Sequence, residues 1–135
     1  MTQFTQAATS RTPYIHLNDV AGTLEITGES YPEDVRRFYA TLSEQLAVFF
    51  ASKPTQLLVT IHLSYFNSGS ARALMELLDQ LDEAAARNTD ISINWYCDPD
   101  DDITREFAED IAMDIQTAKV NILETDDGKD GSNCG

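Results

Sequence analysis

From Leu57 to Phe66 the chain keeps a period of two: Leu57, Val59, Ile61, Leu63 and Tyr65 alternate with Leu58, Thr60, His62, Ser64 and Phe66. Successive side chains on a strand point to opposite faces, so this alternation predicts a strand, apolar on nearly both faces over Leu57 to Val59. Past the turn Asn67-Ser68-Gly69-Ser70 the period changes. Ala71, Leu74, Met75, Leu78 and Leu81 recur at helical spacing and predict one amphipathic helix. It ends near Ala86-Arg87-Asn88, with the asparagine as a left-handed cap. Upstream, Tyr14–Leu17 and Thr23–Thr27 read as short strands joined through the turn residues Asn18 to Gly22. Ser30-Tyr31-Pro32-Glu33 has the form of a capping box and predicts a helix start there. The helix it opens carries Val35, Phe38, Tyr39, Leu42, Leu46, Phe49 and Phe50 on one face and stops at Lys53-Pro54. Downstream, Ile91–Tyr96 predicts a strand, Ile103, Phe107, Ile111 and Ile115 a helix, and Val120–Leu123 a last strand.

The predicted order is β-β-α-β-α-β-α-β. Strands alternating with helices imply an α/β domain built on a mixed sheet of about five strands, largely parallel, with an antiparallel hairpin at one end. The ordered domain is expected over 12–124. Residues 1–11 lack a pattern and are expected to form a loose arm, and the acidic segment 125–135 a disordered tail.

Composition then narrows the function. With 42% apolar residues among 135, one core is affordable. A net charge of -14, from 23 acidic and 9 basic residues, repels nucleic acids and anionic membranes. No run approaches the roughly 18 apolar residues of a membrane span, and the N-terminus lacks a signal sequence, so a cytoplasmic location is expected. Cys97 and Cys134 are too isolated for a zinc site or a disulfide framework.

Candidate chemistry is sparse. Asp98, Asp100, Asp102 and Glu109 fall on ligand positions of a calcium-loop template, but Ile103 stands where that loop needs glycine, so these acids fit a helix start better than a metal site. A nucleophilic Ser68 would need a base in reach. His62 lies six residues back on the strand, about 20 Å away at roughly 3.3 Å per residue. No catalytic motif accompanies either residue, which argues against an enzyme, a cofactor or a metal; a small hydrolytic or metal-binding protein is the weaker alternative. What remains is a hydroxyl at a helix start. Ser68 is either a plain cap or a phosphoacceptor, and Ser70 offers the same chemistry. A phosphoryl group would add about -1.5 to -2 charges, with Arg72 one turn on as an internal partner, and would repel an apolar or acidic partner docking near Tyr65 and Phe66.

Three stretches together resemble the SiaC family of bacterial biofilm-regulating phosphoproteins, whose fold is related to the STAS anti-sigma-factor antagonists. They are Thr12-Pro13-Tyr14-Ile15 through Ala21-Gly22-Thr23-Leu24, Gly28-Glu29-Ser30-Tyr31-Pro32-Glu33, and Leu63-Ser64-Tyr65-Phe66-Asn67-Ser68-Gly69-Ser70 with its helix. The resemblance spans about Thr12 to Leu123. It implies a STAS-like domain acting in a partner switch. A SiaB-type kinase phosphorylates a hydroxyl in the turn after the central strand, and a SiaA-type phosphatase of the PP2C class removes the group. The unphosphorylated form binds and activates a diguanylate cyclase, raising cyclic di-GMP. By position Ser68 matches the acceptor, a serine where the family pattern carries threonine, and Gly69 replaces a serine. The partner-binding surface it implies comprises Tyr65, Phe66, Asn67, Gly69, Ser70 and Arg72. An anti-sigma-factor-antagonist-like protein with a different output partner is the alternative within the same fold.

Overall fold

The computed structural model describes residues 3–125. Nine elements follow one another: β1 (Gln3–Gln6), β2 (Tyr14–Asn18), β3 (Thr23–Ser30), α1 (Val35–Ala51), β4 (Gln56–Phe66), α2 (Ser68–Ala86), β5 (Asp90–Cys97), α3 (Asp102–Asp114) and β6 (Lys119–Glu124). The strands form one sheet in the order β1-β2-β3-β4-β5-β6. The first two pairings are antiparallel and the remaining three parallel.

This order explains where the core sits. From β3 to β6 each strand is laid beside its predecessor in the same direction, and right-handed crossovers then place every connecting helix on one face. Burial follows that rule. Ile15 and Leu17, Leu24 and Ile26, Leu57 to Leu63 in alternation, and Ile91, Ile93, Trp95 and Cys97 are all buried. Their neighbours on the other face are half-buried or exposed polar residues, among them His16, Glu25, Thr60, Asn94 and Asn121, which lie in one row across the sheet. Leu58 also points that way and is 43% exposed, so β4 is buried on one face only and not on both.

The hairpin β2–β3 turns where the sequence places it. Asn18 accepts from the backbone N–H groups of Val20 and Ala21, and Gly22 closes the turn at φ 73°, a conformation that other residues adopt at a cost.

Two expectations change. The arm of residues 1–11 contains a sixth strand, β1, paired with β2 from Gln3↔Asn18 to Gln6↔Ile15, with Phe4 packed against the core. Four residues ending on glutamines carry too little apolar signal to be read as a strand; the pairing comes from the free edge of β2. The capping box is not a cap. β3 runs through Ser30, α1 starts at Val35, and Asp34 caps it by accepting from the N–H of Arg37 at 3.2 Å. The tail residues 126–135, including Cys134, lie outside the described residues.

Candidate functional site

At the C-terminal end of β4 the chain passes through Asn67 into α2. Asn67 is the N-cap: its backbone is extended, and its side-chain oxygen accepts from the N–H of Ser70 at 2.9 Å. The capping role is thus filled by Asn67, and Ser68 is released from it. Ser68 is the first helical residue and is exposed, and its hydroxyl makes no hydrogen bond to another described residue.

Ser70 has the opposite environment. It is fully buried, and its Oγ accepts from Ser30 Oγ at 2.9 Å. Ser30 Oγ also lies 2.6 Å from Tyr39 Oη, so three hydroxyls join the end of β3, α1 and the first turn of α2 behind Ser68. Burial pushes the Tyr39 phenol up to about 12, against the lesser pull of the Ser30 bond.

The other residues of the expected surface divide. Tyr65 is 51% exposed and meets Tyr31 edge to face at 5.5 Å. Phe66 turns inward, packing on Phe107 at 4.9 Å, which in turn contacts Trp95. Gly69 lies against α1, where a Cβ would come within 3.2 Å of Val35 Cγ1. Arg72 is exposed on the next turn of α2. Tyr65, Ser68 and Arg72 therefore reach solvent around the helix start, whereas Asn67, Phe66, Gly69 and Ser70 build the platform.

Between α1 and α2 runs an open groove of about 400 Å³, lined among others by Val35, Arg36, Tyr39, Gly69, Arg72 and Glu76. Within its lining the helices are tied together, Ser43 Oγ donating to Gln80 Oε1 at 3.0 Å and Gln80 Nε2 to the Ser43 carbonyl at 3.1 Å.

Neither histidine is hydrogen-bonded to Ser68. His62 bonds Asp98 at 3.0 Å, an acceptor it shares with the Thr125 hydroxyl, and His16 bonds Thr5. Of the acids on the calcium template, Asp98 is held by His62; Asp101, which is not one of them, caps α3 through the N–H and hydroxyl of Thr104. Among the described residues no group of three acids, histidines or cysteines could hold a metal ion, and no helix is long and apolar enough to cross a membrane.

This arrangement, an exposed serine at a helix start on a rigid one-sided α/β sheet, can be set beside known proteins. The profile described as "SiaC family regulatory phosphoprotein" matches residues 6–125. The chain belongs to the SiaC family. An uncharacterised protein of Pseudomonas aeruginosa strain UCBPP-PA14 is 31% identical over 106 residues, which covers 78% of this chain and 84% of that protein. The crystal structure of apo-SiaC from P. aeruginosa superposes with a TM-score of 0.84 at 28% identity, covering 91% of this chain and 99% of the other. SiaC in the crystal structure of the diguanylate cyclase SiaD with its activator SiaC, also from P. aeruginosa, gives a TM-score of 0.83 at 28% identity, with 90% and 98% covered. Both the family and the mixed α/β fold expected from the sequence hold. Three parts of the site carried no signal that spacing could expose: the Ser30–Tyr39 hydroxyl pair, the Tyr31–Tyr65 contact and Arg36 in the groove. The first depends on α1 returning over the end of β3, the second on β3 pairing with β4, and the third on α1 lying beside α2.

Proposed function

We propose that this chain is a phosphorylation-gated activator of a diguanylate cyclase, and itself not an enzyme. The observation that carries the reading is the contrast between two serines two residues apart. Ser68 is exposed and relieved of capping by Asn67, while Ser70 is buried in a hydroxyl chain. Membership of a family of regulatory phosphoproteins, and the likeness to a SiaC that occurs in complex with a cyclase, supply the class of partner.

In the unphosphorylated state the cyclase docks on the surface around Tyr65, Ser68 and Arg72, and cyclic di-GMP production rises. A SiaB-type kinase transfers the γ-phosphoryl group of ATP. The Oγ–P bond forms, the bond to ADP breaks, and the hydroxyl proton passes to a base of the kinase. The new charge of about -1.5 to -2 then sits in the docking surface and opposes it. A SiaA-type phosphatase of the PP2C class hydrolyses the ester and restores the ligand. The reading calls for a cytoplasmic protein, because the kinase draws on ATP.

Phosphosite mass spectrometry on the protein from its host, with Ser68→Ala and Ser70→Ala beside it, tests the reading. A phosphoryl group lost with Ser68→Ala and kept in Ser70→Ala is the expected result. Ser68→Ala is also expected to bind and activate the cyclase as the parent does, and Ser68→Asp to bind at least about tenfold more weakly, a difference of about 1.4 kcal/mol. Equal activation by the Ala and Asp variants would sink the switch.

A further inference from the structure

The groove between α1 and α2 brings together two arginines that the sequence holds 36 positions apart, Arg36 as the second residue of α1 and Arg72 as the fifth of α2. Neither forms an ion pair within the described residues, where the bridges are Arg11–Glu33, His62–Asp98 and Arg105–Glu124. In a chain with 23 acids and 9 bases, this groove gathers two of the bases, one from each of the helices that wall it. Glu76 also lines the groove, but one turn beyond Arg72 and away from Ser68.

Helix spacing and the packing of α1 on α2 place both residues near the start of α2. Ser68 and Arg72 are four residues apart on one helix, hence neighbours on its surface, and helical side chains lean toward the N-terminus, so Arg72 covers the turn that holds Ser68. Arg36 comes from the opposite wall. Its neighbour Val35 is the residue that a Cβ on Gly69 would meet at 3.2 Å, so the start of α1 and the start of α2 touch beside Ser68. We propose that Arg36 and Arg72 form a two-arginine receptor for a phosphoryl group on Ser68, bridging α1 and α2 across the mouth of the groove. The proposal rests on the reading of Ser68 as phosphoacceptor and adds how the group is held. Arginine suits the role because its planar fork donates two hydrogen bonds to a phosphoryl oxygen pair and stays charged at every relevant pH. The bridge would fix the charged group in the docking surface and take both arginines away from a partner.

The test uses phosphoserine installed at position 68 during synthesis, so that no kinase is required, and follows the ³¹P NMR shift of the group against pH. Ordinary phosphoserine loses its second proton, becoming the dianion, near pH ~6. In the parent the midpoint is expected about one pH unit lower, because two cations favour the dianion. Arg36→Ala and Arg72→Ala should each give back part of that displacement, and the double variant most of it. Arg87→Ala, at the far end of α2, should give back none. Both arginines of the pair are exposed, so circular dichroism and thermal melting of the variants are expected to match the parent. A parent midpoint near ~6, or an Arg36→Ala midpoint equal to the parent's, overturns the receptor. Because the phosphoryl group is supplied synthetically, such a failure leaves the phosphoacceptor reading standing. A host protein without phosphate at Ser68 would remove that reading whatever the titration gives.

Discussion

At the scale of single residues the site depends on which hydroxyl is needed by the fold. Ser70 Oγ accepts a buried hydrogen bond from Ser30, which is also bonded to Tyr39. Removing it leaves a buried donor short of an acceptor, and that desolvation cost is not recovered from water. Ser70→Ala should therefore lose about 1–3 kcal/mol of stability in urea denaturation. Ser68→Ala should stay within about 0.5 kcal/mol of the parent, as an exposed position with no partner should. Comparable losses at both positions would mean that Ser68 is structural after all. The sequence could not make this distinction. Asn67, Ser68 and Ser70 are all capping types, and only the extended backbone of Asn67 selects it as the cap. Nothing in the spacing says that the end of β3 delivers Ser30 to the floor beneath Ser70.

At the scale of elements, what was legible was periodicity and what was not was pairing. The alternation in β4, the helical stripes of α1 and α2, and the turn at Gly22 follow from local chemistry and stand where the pattern puts them. Asn88, at φ 85°, takes the left-handed conformation expected after α2. The Ser30–Glu33 pattern misled because Ser30 is the paired last residue of β3, and tertiary burial outranks a local capping motif. Leu58 looked buried because an apolar residue on the second face of a strand says nothing about whether a helix covers that face. Asp82 is another contact the sequence hides. From α2 its carboxylate accepts from the backbone N–H groups of Gln116, Thr117 and Ala118, at 3.0, 2.8 and 2.9 Å, and so fastens the approach to β6. Burial alone would raise its pKa, but the three N–H donors outweigh it and hold the group below its ordinary 3.8. A carboxyl that is more acidic folded than unfolded contributes stability above the unfolded pKa and loses it as pH falls through the folded one. Asp82→Ala should accordingly cost about 2 kcal/mol at pH 7 and progressively less below pH ~3.8, when melting is followed across pH. An identical difference at pH 7 and pH 2 would show that the carboxylate is not what fastens the loop.

At the scale of the whole molecule the question is why so small a charge could matter to a protein that already carries -14. A phosphoryl group changes the total by about -2 at most, so a mechanism acting through net charge would be weak and indifferent to position. The fold makes it local. β4 runs eleven residues from Gln56 to Phe66, roughly 36 Å at about 3.3 Å per residue, and α2 begins at its far end. The screening length is about 8 Å at physiological salt, so a charge at Ser68 is not felt at the other end of the strand. Thr55 is exposed just before β4 and offers the control. Thr55→Asp changes the net charge as Ser68→Asp does, and it should leave cyclase binding within about twofold of the parent, where Ser68→Asp loses at least about tenfold. Raising the salt should weaken the Ser68→Asp effect only in part, because the partner must also strip water from the new carboxylate. Equal losses from Thr55→Asp and Ser68→Asp, both abolished by salt, would make the effect one of bulk repulsion and deprive the helix start of its special role.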